Sequence, residues 1–175
     1  MNRMTACIAA AAAAAAVFLC AGAQAQGTLT GRLPTSSAES LAEKQLTLPA
    51  DLPAERTLVL LAFERDQRAS LATWKAGLEL NAGNTPWMEL IVVGPQNAFV
   101  RTMIQRGLRR EIPEGPMRDR VLPLFAEQAA FAASLGLSTK SPHVLAVDRA
   151  GHVLAQAEGD FAPGKAQALL LSLKP

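Results

Sequence analysis

A continuous apolar run at residues 57–63 and a second, mainly apolar run at residues 87–93 mark the centre of the chain. Runs of this kind are typical of strands that are buried on both faces. After each run, apolar residues recur at helical spacing, which predicts an amphipathic helix over residues 67–80 and a second helix that begins after Asn97. The order strand, helix, strand, helix predicts two parallel strands joined by a right-handed crossover.

Polar and apolar positions in these two helices predict how each begins and which side it buries. Asp66 and Asn97 precede the first turns, where their side chains can accept a hydrogen bond from a backbone N–H group. The apolar positions expected to face the core are Leu71, Trp74 and Leu78 in the first helix and Phe99, Met103 and Ile104 in the second.

The pattern resumes beyond residue 120 with shorter elements. Gly136 is a natural end for the helical pattern before it, and Gly151 suits the turn of an antiparallel hairpin. Pro163 is tolerated in the first turn of a last helix. The predicted elements are a short apolar run at 121–125, a helix at 127–135, strands at 143–147 and 152–156, and a helix at 164–173.

The N-terminus has the order of a secretory signal peptide. Arg3 is followed by an alanine-rich apolar stretch at residues 6–22 and then by the small-residue sequence Ala23-Gln24-Ala25. This arrangement predicts that residues 1–25 are cleaved off between Ala25 and Gln26. We therefore expect the mature protein to be exported to the periplasm.

A membrane anchor and a lipoprotein are the two alternatives to cleavage. A membrane anchor needs about 20 strongly apolar residues, which this stretch does not provide. Lipidation at Cys20 requires a small residue where Leu19 stands.

After the signal, residues 26–50 are rich in Thr, Ser, Gly and Pro, which predicts a mostly irregular lead-in with one short edge strand at 44–49.

Cysteine content limits the chemistry of the exported chain. The only two cysteines, Cys7 and Cys20, lie in the predicted signal peptide, so cleavage leaves a chain without a thiol. Such a chain can form neither a disulfide nor a mixed-disulfide intermediate. The charge of the chain argues against nucleic acid as a partner. Its 17 basic side chains nearly balance 15 acidic ones, whereas a nucleic-acid-binding domain is normally more basic.

The order of the predicted elements is that of a known fold. Strand, helix, strand, helix, an insertion and then strand, strand, helix resembles the thioredoxin fold. Ser141-Pro142 followed by HVLAVDRAGHVLAQAEG resembles its second half in secreted thiol oxidoreductases and peroxiredoxins. The resemblance implies an α/β domain over residues 51–175, with a central mixed sheet flanked by helices and an inserted segment before the last β-hairpin. It also implies a cis peptide bond before Pro142, since those families have one at this proline.

A closer resemblance within this superfamily is carried by the phrases LVLLAFERDQRASLATW, LRREIPEGPMRDRVLPLF and HVLAVDRAGHVLAQAEGD. They are similar to the mitochondrial ATP synthase assembly factors and their bacterial relatives, which also lack the cysteine pair. The shared segment is Leu108-Arg109-Arg110, Ile112-Pro113 and Arg118-Asp119-Arg120. Mitochondrial members act beside a membrane-embedded ATP synthase subunit, whereas this chain has an export signal. The resemblance therefore implies an assembly role but not its partner.

The loop after the first strand, where thioredoxins hold their reactive thiolate, offers charged and polar side chains but no thiol. Ser70 in the following helix lacks the glycine-flanked elbow of a hydrolase. His143 and His152 could approach each other across the hairpin, but two imidazoles fall short of the ligands that a zinc site requires. We therefore expect no catalytic residue, no cofactor and no metal.

Arginines are concentrated in residues 101–120, which hold six of them against three acidic residues. The prolines and glycines of residues 107–120 interrupt the helical pattern. The segment is either a solvated loop with internal ion pairs or a surface that recognises an acidic protein or anionic lipid head groups. Together with the loop after the first strand it forms a candidate partner surface: Glu64, Arg65, Asp66, Gln67, Arg109, Arg110, Arg118 and Arg120.

These observations predict an exported, redox-inactive thioredoxin-like protein that acts as a binding or assembly factor for an envelope protein or complex. The expected partner is an envelope or membrane-associated protein, with no nucleic acid and no membrane span after cleavage. An enzyme with non-thiol chemistry and a structural subunit of a redox complex are the two alternatives.

Overall fold

The computed structural model describes residues 31–174, which form a central five-stranded sheet with helices on both faces and a separate two-stranded hairpin. The predicted signal peptide and its cleavage site lie outside the described residues. The strands are β1 (Ser36–Glu39), β2 (Gln45–Leu48), β3 (Arg56–Ala62), β4 (Trp87–Val93), β5 (Val121–Phe125), β6 (His143–Asp148) and β7 (Val153–Glu158). The helices are α1 (Gln67–Gly77), α2 (Ala98–Glu111), α3 (Pro116–Arg120), α4 (Gln128–Leu135) and α5 (Pro163–Ser172).

The central sheet has the strand order β5-β4-β3-β6-β7. β3 and β4 pair in parallel, as predicted, and β5 adds a third parallel strand beside β4. β6 and β7 form the predicted antiparallel hairpin, and β6 also runs antiparallel to β3. This mixed sheet between helices confirms the predicted fold class.

Two hydrophobic layers cover the two faces of the sheet, because consecutive residues of a strand point to opposite sides. On one face Leu90 belongs to the same cluster as Phe131 of α4. On the other face Leu60 packs in a cluster with Trp74 of α1 and Leu169 of α5. All but the first residue of β3 are buried, which explains why its sequence is a continuous apolar run.

Helix α2 packs on the sheet through a narrower apolar contact. Leu108 lies in a small cluster with Ile91 of β4 and Val121 of β5. The helix begins at its predicted cap, where the backbone N–H of Val100 donates to Oδ1 of Asn97 at 3.0 Å. The sequence therefore predicts the start of α2 correctly.

The predicted inward stripe of α2 is wrong for two of its three residues. Phe99 and Met103 are 73% and 57% exposed, and only Ile104 is partly buried. The helix does not break at residue 107 but continues to Glu111. Because of this extra length, Leu108 in the next turn makes the main contact with the sheet, and the predicted irregular segment becomes the end of α2 followed by the short helix α3.

A β-hairpin occupies residues 36–48, where the sequence predicts a mostly irregular lead-in. β1 and β2 pair in antiparallel register from Ser36 and Leu48 to Glu39 and Gln45. Ala38 and Leu48 are buried in the core cluster on the α4 side of the sheet. The predicted edge strand corresponds to β2, but its partner is β1 and not the central sheet. Four-residue strands with so few buried positions leave only a weak pattern in the sequence.

Helix α1 begins without its predicted side-chain cap. Asp66 precedes the helix, but its carboxylate makes no capping hydrogen bond. A capping side chain normally needs an extended backbone at the cap position, whereas Asp66 already has helical dihedral angles. The helix also ends earlier than predicted, at Gly77.

The predicted end signals in the second half of the domain are confirmed. α4 is followed by Gly136 with φ of 68°, and the turn between β6 and β7 contains Gly151 with φ of 90°. Both dihedral angles lie in the region that glycine adopts without steric cost. α5 begins at Pro163, as predicted.

Two helical glycines are expected to respond to alanine in opposite directions. At Gly107 an added methyl carbon would meet no atom within 4 Å, so Gly107→Ala should stabilise the fold by about 0.5–1 kcal/mol through helix propensity. At Gly77 the same carbon would lie 2.6 Å from the ring of Phe161, which packs edge-on against Trp74. Gly77→Ala should therefore destabilise the fold. Urea unfolding followed by tryptophan fluorescence measures both changes, and shifts of the same sign would contradict this packing.

Candidate functional site

The loop after β3 and the segment before β6 meet at one edge of the sheet, where the side chain of Gln67 joins them. Its Oε1 accepts hydrogen bonds from the backbone N–H groups of Phe63 at 2.8 Å and Glu64 at 3.3 Å. Its Nε2 donates to the carbonyl oxygen of Thr139 at 2.8 Å. Gln67 is buried, and it fixes the β3–α1 loop against the segment that leads into β6.

A second glutamine joins the ends of β3 and β4. Gln128, the first residue of α4, donates from Nε2 to the carbonyl oxygens of Phe63 at 2.6 Å and Val92 at 2.7 Å. Both amide side chains are neutral, and an amide cannot replace a thiolate as a nucleophile. Hydrogen bonds from two neutral amides therefore hold together the ends of β3 and β4 and the segment that leads into β6.

The peptide bond before Pro142 is trans, so the predicted cis bond at this position is wrong. Within residues 31–174 the cis peptide bond lies between Leu48 and Pro49. A trans bond is the default unless the surroundings hold the other isomer. In this structure Pro142 leads directly into β6, and its carbonyl oxygen accepts a hydrogen bond from the N–H of Gly159 at 3.0 Å.

A buried carboxylate lies further along β4. Glu89 is 0% exposed, and its Oε2 accepts a hydrogen bond from Nζ of Lys75 at 2.8 Å. Its Oε1 lies 3.7 Å from Nε of Arg68, and neither of these two atoms has a hydrogen-bond partner. Burial of a carboxylate is costly unless cations compensate its charge. Lys75 and Arg68 of α1 supply that compensation.

The charge network continues from Arg68 to the end of α2. Nη1 of Arg68 and Nη2 of Arg65 each lie 2.6 Å from a different carboxylate oxygen of Glu111. The hydrogen bond from Arg68, aided by the positive charge of both arginines, holds the pKa of Glu111 below its ordinary value of 4.5, although burial opposes this shift. Glu89 and Glu111 thereby connect β4 and α2 to α1.

The predicted partner surface is divided by the fold into exposed and internally bonded residues. Glu64, Arg65 and Asp66 are exposed in the β3–α1 loop, and Arg110 is exposed on α2. The ion pair between Arg65 and Glu111 brings these two parts of the predicted surface to the same side of the molecule.

The remaining arginines of the predicted partner surface make contacts within the fold. Nε of Arg109 donates to the carbonyl oxygen of Leu41 at 3.0 Å. Nη2 of Arg118 donates to the carbonyl oxygen of Arg109 at 2.7 Å. The guanidinium of Arg120 lies 5.3 Å from the ring centroid of Trp87. These three arginines hold α2 and α3 against the β1–β2 loop and the sheet.

The two histidines lie at opposite ends of the β6–β7 hairpin and do not approach each other. Nε2 of His143 is 2.8 Å from the carbonyl oxygen of Ser138. Nδ1 of His152 is 3.0 Å from a carboxylate oxygen of Asp148 in the hairpin turn. Within residues 31–174 no group of three or more His, Cys, Asp or Glu side chains could hold a metal ion. In the same range no helix has the length and apolar character needed to cross a membrane.

Sequence reasoning missed three residues that build this region. Glu89 is the single acidic residue inside the apolar run Trp87–Val93, and that interruption was the available signal for a buried charge. Lys75 and Gln128 carry no such signal. Each occupies a helix position that the sequence pattern cannot distinguish from an ordinary solvated one.

Among the comparisons with known proteins, the one with solved structures agrees with this architecture. No family model and no curated protein matches the chain. The exposed lipoprotein thioredoxin of Streptococcus pneumoniae is 13% identical, with a TM-score of 0.53 over 79% of this chain and 99% of that one. A thiol-disulfide oxidoreductase of Bacteroides fragilis is also 13% identical, with a TM-score of 0.50 over 82% of this chain and 99% of that one.

A third solved structure is BsSco, a member of the Sco family of cytochrome c oxidase assembly proteins. It is 13% identical, with a TM-score of 0.54 over 82% of this chain and 92% of that one. At such low identity these similarities establish a thioredoxin-like fold and nothing finer. None of the comparisons supports membership of the ATP synthase assembly factor family.

Removal of the buried charge should destabilise the fold. Glu89→Gln is expected to cost about 3 kcal/mol, because it leaves the largely buried Lys75 without a counter-charge, whereas Arg68 keeps its ion pair with Glu111. The double variant Glu89→Gln, Lys75→Met serves as the control and should recover part of the loss, since it removes both members of the closest pair. Urea unfolding at neutral pH measures both variants. A single variant as stable as the wild type would show that the network contributes nothing.

Acid should weaken the link between α1 and α2. Because the pKa of Glu111 is lowered in the fold, its contribution to stability is present above the ordinary value of 4.5 and is lost as the pH falls through the lowered pKa. The wild type should therefore exceed Glu111→Gln in urea midpoint at about pH 6, and the two should converge in acid. The difference should be small, since the Glu111 side chain is 40% exposed. A difference that does not change with pH would contradict this assignment.

Proposed function

We propose that the protein is an exported, redox-inactive thioredoxin-like factor that binds an envelope protein or complex and assists its assembly. The observation that carries the proposal is the sheet edge built by Gln67 and Gln128. The fold of thiol oxidoreductases is retained, while amide side chains stand at the edge that holds the reactive thiols in those enzymes. Retention of a fold without its reactive group favours a role in contact.

Exposed residues at this edge offer a surface to the partner. Glu64, Arg65 and Asp66 are exposed in a loop whose backbone is held from within by Gln67. A loop that is already fixed loses little conformational freedom when it binds. The edge is therefore suited to protein recognition.

Resemblance to assembly proteins supports the kind of role. BsSco belongs to a family of cytochrome c oxidase assembly proteins, and residues 108–120 resemble the ATP synthase assembly factors. We extend to this chain the assembly role alone. An envelope or membrane-associated protein is the proposed partner because residues 1–25 have the pattern of an export signal.

Catalysis by other chemistry has no supporting arrangement in the described part of the chain. Ser70 would need a neighbouring base to act as a nucleophile. Neither imidazole has a hydrogen bond to Ser70 in the described part of the chain: His143 contacts the carbonyl oxygen of Ser138, and His152 contacts Asp148 at the other end of the β6–β7 hairpin. A binding function is thus the better supported of the two.

A disulfide-reduction assay tests the redox part of the proposal. The protein isolated after export should not accelerate the reduction of insulin by dithiothreitol, because it holds no thiol. Mass spectrometry of the same protein should show that it begins at Gln26. A thioredoxin in the same assay serves as the positive control. Insulin reduction by the thiol-free chain would overturn redox inactivity, and an exported protein that keeps residues 1–25 would overturn cleavage.

A further inference from the structure

One stripe of α2 faces away from the sheet and combines apolar with basic side chains. At 3.6 residues per turn, Phe99, Met103, Arg106 and Arg110 fall within about 60° of one another around the helix. Phe99 and Met103 are 73% and 57% exposed, and both arginines are exposed as well. The apolar pair lies in the first half of the helix and the basic pair in the second half. With Gly107, these residues form the outer face of α2.

The two arginines of the outer face form no ion pair in the described part of the chain. Arg65, Arg109 and Arg118 all form ion pairs with carboxylates. Neither Arg106 nor Arg110 forms such a pair with any carboxylate of residues 31–174. Charge complementarity therefore favours a negatively charged ligand at this face.

Gly107 has no evident role in the fold. A methyl carbon at this position would meet nothing within 4 Å, and no turn requires glycine because α2 continues through it for four more residues. Glycine inside a helix is destabilising relative to alanine. What it offers is room for another backbone to approach the helix closely. On this helix that room lies beside Met103, on the exposed side.

We propose that the outer face of α2 binds an acidic helix of the partner protein. Two carboxylates about one turn apart on that helix pair with Arg106 and Arg110. Its apolar side chains cover Phe99 and Met103, and its backbone comes closest at Gly107. The inference rests on the binding function proposed above and places its main contact on α2.

An anionic bilayer and a second copy of the chain fit this face less well. Lipid tails rearrange around any side chain and gain nothing from the missing methyl group at Gly107. A second copy would bring Arg106 and Arg110 of both chains together without a carboxylate from the same face, and like charges oppose association. An acidic protein helix satisfies the charge and the close approach together.

Site-specific crosslinking in cells that export the protein tests the position of the contact. A photoreactive amino acid replaces Met103 in one strain and Glu64 of the β3–α1 loop in another, and mass spectrometry identifies the crosslinked peptides. The expected result is a crosslink from position 103 to a segment of another protein with two acidic residues three or four positions apart. A segment without such a pair, or crosslinks from position 103 to a second copy or to lipid alone, would overturn the inference.

The two positions separate failure of this inference from failure of the proposed function. A protein crosslink from position 64 without one from position 103 overturns the α2 contact and leaves the binding function standing. No protein crosslink from either position overturns both.

Purified variants then separate docking from a structural role. Gly107→Ala should weaken binding of the identified partner by at least about tenfold while it raises the midpoint of thermal unfolding. Arg106→Glu with Arg110→Glu should also weaken binding, and exchange of the partner's two carboxylates for lysine should restore it. Leu171→Ala on α5, another exposed apolar site, and Arg149→Glu at the far end of the sheet are controls that should keep full affinity. Unchanged affinity in Gly107→Ala would overturn the close approach.

Discussion

A carboxylate in the middle of a buried strand constrains the arrangement of the helices around it. Glu89 has no access to solvent, and its charge must be balanced by groups that reach it from outside the sheet. Lys75 and Arg68 do so from positions two turns apart on one side of α1. Arg68 also bonds Glu111 at the end of α2. One buried charge thus connects a strand of the central sheet to two helices and places the β3–α1 loop beside the end of α2.

Contacts within the fold also determine which arginines remain available to a partner. Most of the arginines that the sequence concentrates in one segment bond carbonyl oxygens, carboxylates or an aromatic ring within the fold, and Arg109, Arg118 and Arg120 are examples. What remains uncompensated lies on the outer face of α2. At the neighbouring sheet edge, Gln67 and Gln128 satisfy backbone groups with neutral amides. The molecule therefore has two neighbouring surfaces: a sheet edge held by glutamine hydrogen bonds, and a helix whose outer face is both apolar and basic.

Local patterns were sufficient for some elements and misleading for others. β4 can be placed to the residue because a strand buried on both faces is mainly apolar, and every residue of β4 except Glu89 is apolar. Asn97 can be assigned as a cap because capping involves only neighbouring residues. Helical spacing predicts an inward direction for Phe99 and Met103, but α2 carries apolar residues on more than one side, and periodicity does not tell which side meets the sheet. A cis bond at Pro142 is implied by resemblance alone, and that geometry depends on surroundings that two chains of one fold need not share.

The sequence alone determines the order of the main strands and helices and the fold class, because burial and backbone preference act over a few neighbouring residues. It also shows directly that no cysteine follows residue 20. The pairing of Glu89 with α1, the two glutamine links at the sheet edge and the outward direction of Phe99 emerge only in the folded molecule. Each of them joins residues from different elements, or depends on which side of a helix the sheet covers. A contact between distant positions leaves no periodic trace in a single sequence, so only the packing of the elements against one another could reveal it.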